Sequence, residues 1–60
     1  GGYNNLASEY GAVVAGGGRN TASGHLSVVL GGALNTASGY MSTVQGGYSQ
    51  ENSGTYSYGP

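Results

Sequence analysis

Residues 16–45 read GGGRNTASGHLSVVL followed by GGALNTASGYMSTVQ, two stretches of 15 that share Gly, Gly, Asn, Thr, Ala, Ser, Gly, Ser and Val in the same places. The frame extends outward in both directions. Residues 1–15 read GGYNNLASEYGAVVA, and residues 46–60 read GGYSQENSGTYSYGP, the copy that has drifted furthest. The chain of 60 residues therefore divides without gaps into four repeats, 1–15, 16–30, 31–45 and 46–60. A fixed period of this kind marks a repeat architecture, in which each unit buries its apolar face only by stacking on the next.

The columns of the repeat define its parts. Positions one and two are Gly in every copy, and position five is Asn5, Asn20, Asn35 and Gln50. Position seven is Ala7, Ala22, Ala37 and Asn52, while position 14 is Val14, Val29, Val44 and Gly59. A flexible Gly/Ser linker has no reason to hold Asn, Ala and Val at constant offsets from a Gly pair. Collagen needs Gly at every third residue, which is not the spacing here. The calcium-binding nonapeptide roll needs aspartates, and this chain has none.

Fifteen residues are too few for a helical hairpin, and the Gly pairs would break one. They suit one coil of a parallel β-solenoid with two short strands and two turns. The first strand is expected over residues 20–23 and 35–38, with Ala22 and Ala37 inward by period-two alternation. The second is expected over residues 25–30 and 40–45, with Ser27, Val29, Ser42 and Val44 inward. Both corners, the Gly pair and the single Gly24, Gly39 or Gly54, are expected to use the positive φ that Gly adopts freely. Glu9 in the second corner of the first coil does not fit that expectation. Stacked coils would lie about 4.8 Å apart, so four would rise about 19 Å. Asn5, Asn20 and Asn35 would then form an amide ladder between coils, or else cap the turns. Val14, Val29 and Val44 form the companion apolar ladder.

The second strand also carries apolar residues on its outward side, with Val13, Leu26, Val28, Leu30 and Met41, continued by Tyr56 and Tyr58. Apolar character on both faces marks a strand buried on both. A thin solenoid buries only one, so the other calls for a partner.

Composition narrows the function. Only 5% of residues are charged: Arg19, Glu9 and Glu51. Nucleic acid is captured by Lys and Arg at many phosphates, so that partner is excluded. No apolar run approaches the roughly 18 residues of a membrane span, so this segment is not expected to insert in one. There is no cysteine, hence no disulfide scaffold. His25 is the only histidine, and without Cys or Asp it cannot complete a metal site. It shares a column with Tyr10, Tyr40 and Thr55, which reads as an exposed, tolerant position rather than an uninterrupted aromatic ladder. The serines have no base and orienting group beside them, so no catalytic nucleophile is indicated. No catalytic, cofactor-binding or metal-binding residue is expected, and the chain does not read as an enzyme.

The unit GGxxNxASGxxSxVx of residues 16–45 resembles the repeats in the heads of trimeric autotransporter adhesins, the YadA-like head family. Ala-Ser-Gly followed by Ser-x-Val carries the likeness, which covers all four repeats. The family's usual repeat is nearer 14 residues, and the Gly pair makes this one longer. The resemblance implies a left-handed parallel β-roll packed side by side as a homotrimer. It also implies display on a bacterial cell surface, where such a fibre would meet a host protein, a cell-surface protein or a glycan. In that arrangement Val13, Leu26, Val28, Leu30, Met41, Tyr56 and Tyr58 would lie between chains. A phage or virus tail-fibre segment on a virion surface is the alternative. An ice-binding solenoid is a third reading, drawn from the hydroxyls of Thr21, Ser23, Thr36 and Ser38. The whole stretch of 60 reads as one segment of a longer fibrous protein. The departures in the last repeat suit either a cap or drift.

Overall fold

The structure, a computed structural model, describes residues 2–59. Eight two-residue strands alternate along the chain: β1 (Leu6–Ala7), β2 (Val13–Val14), β3 (Thr21–Ala22), β4 (Val28–Val29), β5 (Thr36–Ala37), β6 (Thr43–Val44), β7 (Glu51–Asn52) and β8 (Tyr58–Gly59). The odd-numbered strands form one parallel sheet in the order β1-β3-β5-β7, and the even-numbered strands form a second in the order β2-β4-β6-β8. Each pairing joins a residue to its counterpart 15 positions on, as in Ala22 with Ala37 and Val29 with Val44. The chain is therefore a parallel β-solenoid of four coils, in phase with the repeat. A third ladder of single bridges, Tyr3–Gly18–Ala33–Tyr48, runs up the Gly-pair corner, where a plain turn was expected.

The interior lies between the two sheets. Ala22, Ala37, Val29 and Val44 have 0% exposure, and so do Ser27, Ser42, Asn20 and Asn35. Alanine in one sheet facing valine in the other lets the two backbones approach closely. The thinnest dimension of the molecule, 11 Å, is close to the roughly 10 Å that separates two sheets packed face to face.

The regular strands are shorter than expected because the turns extend further into the repeat. Leu26 and Met41 belong to a turn and not to the strand. Both have positive φ, 59° and 54°, as do Tyr56 at 58° and Gly11 at 69° in the same column. Asn4, Arg19, Leu34 and Ser49 form another such column, with φ between 54° and 58°. A left-handed conformation costs a residue with a Cβ about 1–2 kcal/mol. Here it redirects the amide. Strand N–H groups donate to the following coil, as Val28 does to Ser42 at 2.9 Å. The left-handed residues donate back to the preceding one: Arg19 to Tyr3 at 2.8 Å, Leu26 to Tyr10 at 2.8 Å and Met41 to His25 at 2.8 Å. The bond gained offsets part of the strain.

The two glycine corners do different jobs. At the Gly pair, Gly17 has φ of 89° and a Cβ there would stand 2.2 Å from the Gly32 carbonyl oxygen. The single-Gly corner was expected to need positive φ, and it does not: Gly24, Gly39 and Gly54 lie outside the left-handed region. Gly24 is needed for space, because a Cβ would stand 2.2 Å from the Gly39 carbonyl oxygen. Left-handed geometry falls two residues later, at Leu26. Glu9 therefore incurs no left-handed strain, and its carbonyl accepts the turn bond from Ala12 N–H at 3.0 Å. In the middle coils serine reinforces this corner. Ser27 Oγ donates to the Gly24 carbonyl at 2.6 Å and accepts from the Gly24 N–H at 3.1 Å, and Ser42 accepts from the Gly39 N–H at 3.1 Å.

Candidate interaction surface

The second sheet turns three columns of side chains away from the core. Position 13 holds Val13, Val28, Thr43 and Tyr58, and position 15 holds Ala15, Leu30 and Gln45 in the first three coils. At the adjoining turn stand Gly11, Leu26, Met41 and Tyr56. Val13 is 48% exposed, Leu30 50%, Met41 42% and Tyr58 70%, while Leu26 and Val28 are half-buried. Leu26 leans over the preceding coil, where a Cβ on Gly11 would come within 2.4 Å of its Cδ2. Tyr58 crosses columns, its hydroxyl donating to Gln45 Oε1 at 2.8 Å. The residues singled out from the sequence thus fall into two neighbouring groups. Val13, Val28, Leu30 and Tyr58 are on the sheet face, and Leu26, Met41 and Tyr56 are along its turn edge. None of the three columns contains a charged residue; Arg19, Glu9 and Glu51 occupy others.

The asparagine columns lie inside and do more than an amide ladder would. Asn20 Oδ1 accepts the backbone N–H of Asn35 at 3.0 Å, and Asn35 Oδ1 accepts that of Gln50 at 2.9 Å. The Nδ2 group of Asn20 donates to the Gly16 carbonyl of its own coil at 2.9 Å and to the Gly32 carbonyl of the next at 3.1 Å. Asn35 repeats this with Gly31 and Gly47 at 2.8 and 3.0 Å. The bonds are amide to backbone, not amide to amide, so ladder and turn cap are one arrangement. Each Asn fastens the close glycine approach described above.

A stacked aromatic row stands at this same turn edge of the second sheet. Tyr10 and His25 have ring centroids 5.0 Å apart with planes at 25°, and His25 and Tyr40 are 5.5 Å apart at 16°. Tyr56 then meets Tyr40 edge-on at 5.8 Å. The sequence reading broke this row at His25. Counting the imidazole as an aromatic ring would have joined Tyr10 to Tyr40. Tyr56 had no such signal, since it belongs to the neighbouring column. Both faces of His25 are thereby engaged, one by Tyr10 and one by Tyr40. Arg19, over the Tyr3 ring at 5.8 Å, is engaged in a separate contact at the Gly-pair corner.

A second unforeseen feature is the first glycine of each pair. A Cβ built on Gly16, Gly31 or Gly46 meets nothing within 4 Å, and none of the three is left-handed. The single chain places no demand for glycine in this column, which adjoins Leu30 and Gln45.

Among the described residues no group of three or more His, Cys, Asp and Glu could hold a metal ion. The first sheet's outer face carries Leu6, Thr21, Thr36 and Glu51, and Ser8, Ser23, Ser38 and Ser53. Only two adjacent coils present threonine there. The chain matches no protein-family model, no curated protein and no solved structure. Its class rests on its own geometry: a parallel β-solenoid with 15-residue coils and one uncharged, largely apolar outer face.

Proposed function

We propose that this chain is a non-catalytic structural and adhesive segment of a surface-displayed fibre, in which three copies pack side by side through the outer face of the second sheet. The observation that carries the reading is the trio of uncharged columns at positions 11, 13 and 15. They repeat with every coil, so a surface complementary to all four coils must share their rise of about 4.8 Å. Another copy of the same solenoid has that rise by construction. Fully burying a Leu or Met contributes about 1.5–3 kcal/mol, so covering these half-exposed side chains would add roughly 1 kcal/mol each. The glycine column at Gly16, Gly31 and Gly46 supports the same reading, since it lets a neighbouring backbone come close at the margin of that face. Such a fibre, standing outside the cell on a bacterial surface, would hold host or cell-surface proteins or glycans at its exposed flanks.

Sedimentation equilibrium on the chain, released from a cleavable trimerising fusion, tests the assembly. The expected mass is three times the 5.9 kDa of the single chain. A folded, monodisperse monomer would overturn the reading.

A further inference from the structure

The two ends of the solenoid are chemically different. Between coils, the amides in columns 3, 6, 8, 13 and 15 donate forward, as Tyr3 does to Gly17 at 3.0 Å, Ser8 to Ala22 at 3.1 Å and Val13 to Ser27 at 2.9 Å. The acceptors are carbonyls in columns 2, 5, 7, 12 and 14. On the first coil, the corresponding carbonyls of Gly2, Ala7 and Ala12 face out of the end. Gly2 and Ala7 line an open depression of about 370 Å³ there, together with Asn4, Asn5 and Val14. Ala7 is exposed there and Val14 half-buried, whereas their counterparts in the two middle coils are fully buried.

The fourth coil is finished differently. Asn52 stands in the alanine column and Gly59 in the valine column opposite. A Cβ on Gly59 would meet Asn52 Nδ2 at 3.5 Å and Oδ1 at 3.7 Å, so the larger residue fills the room left by the smaller. Asn52 Nδ2 turns back and donates to the Thr43 carbonyl of the preceding coil. Gln50, in the column where Asn reaches the next coil, instead donates to the Tyr48 carbonyl of its own turn at 3.1 Å. The fifteenth residue of this repeat is Pro60, an imide with no N–H, in the column where Leu30 and Gln45 donate forward.

We infer that the first coil's edge is a docking surface for one more coil of the pattern Gly-Gly-x-x-Asn-x-Ala-Ser-Gly-x-x-Ser-x-Val-x, and that the fourth coil's edge is closed to it. An added coil joined ahead of Gly1 would aim its forward-donating amides at the Gly2, Ala7 and Ala12 carbonyls. Its Asn would reach the Gly2 carbonyl as Asn5 reaches Gly17 at 3.1 Å. Its Ala and Val would bury Ala7 and Val14. In return the left-handed residues Asn4 and Gly11 would donate back to it, as Arg19 and Leu26 do to the first coil. A second copy stacked end to end is the poorer occupant. It would present its fourth coil, which offers Asn52, Gly59 and a folded-back Gln50 in place of the matching Ala, Val and Asn. Addition is therefore one-sided, as expected where one terminal unit of a solenoid shields its interior.

The experiment fuses one copy of residues 31–45 either ahead of Gly1 or after Pro60, and compares melting temperature and amide exchange with the parent chain. The first fusion is expected to raise the melting temperature and to slow exchange at Asn4 and Gly11 at least tenfold. The second is expected to leave the melting temperature unchanged, with the added coil exchanging as an unfolded peptide does. In the background N52A/G59V, with Pro60→Gln, the second fusion should become stabilising. Equal gains at both ends, a gain only after Pro60, or no slowing at Asn4 and Gly11 would each overturn the inference.

Discussion

Coil 3 and coil 4 pair with their neighbours in the same register, yet they are held in place by different means. In coil 3 the interior is Ala37 against Val44, both inaccessible, with Asn35 spanning two coils and Ser42 holding the turn. In coil 4 the interior is Asn52 against Gly59, Gln50 serves only its own turn, and Ser57 Oγ is buried with no hydrogen-bond partner among the described residues. Register therefore does not depend on the core residues. It comes from the backbone ladders that join coils 3 and 4. The core residues decide how much each coil contributes to stability.

The sharpest way to break this comparison is a charge in the valine column. Val29→Asp puts an unpaired carboxylate in a fully enclosed position and should cost at least 3 kcal/mol, enough to abolish cooperative melting in so small a chain. Gly59→Asp, in the same column of coil 4, is partly exposed and should cost about 1 kcal/mol or less. Equal effects in thermal denaturation would mean that the fourth coil has the same closed interior as the others.

Next in size is the asparagine column. Asn35→Ala leaves the Gln50 amide and the Gly31 and Gly47 carbonyls without their side-chain partner, and should cost about 2–3 kcal/mol. Gln50→Ala removes one exposed bond and should cost roughly 0.5 kcal/mol. Chemical denaturation of the two variants reads the contrast directly. A ratio near one would show that the column acts only as a turn former.

Asn52 and Gly59 should behave as a coupled pair. Asn52→Ala alone opens a void beside Gly59, Gly59→Val alone crowds Asn52, and the double change restores the alanine and valine of the middle coils. A double-mutant cycle on melting should show coupling of about 1 kcal/mol, within the range for touching residues. Simple additivity would mean that the two side chains do not fill one space.

The smallest effect separates the chain's own needs from those of an assembly. Gly31→Ala has space and an ordinary φ, so it should stabilise an isolated chain by about 0.5 kcal/mol through the unfolded state. Gly32→Ala, left-handed at 88° and 2.2 Å from the Gly47 carbonyl oxygen, should be clearly destabilising. If copies pack along the first glycine column, Gly31→Ala would weaken their association while raising the stability of the single chain. Unchanged association in sedimentation would place that column away from the interface.

The sequence by itself determined the 15-residue period, the parallel stacking that follows from it, and the inward set of Ala22, Ser27 and Val29 with Ala37, Ser42 and Val44. Those features are one-dimensional. A repeat places like residues above like, and alternation along a strand separates inside from outside. Only the tertiary structure decided where the chain turns left-handed, because φ at Leu26, Leu34 and Met41 is imposed by hydrogen bonds to the coil before and not by their own preference. It also decided that Gly24 and Gly39 are needed for space, since the neighbouring carbonyl that occupies that space belongs to the next coil. The Tyr10–His25–Tyr40–Tyr56 row and the Asn52–Gly59 exchange lay beyond the repeat pattern for a related reason. Both arise where residues of unlike type, or from neighbouring columns, share one volume, and a column-by-column reading compares only like with like.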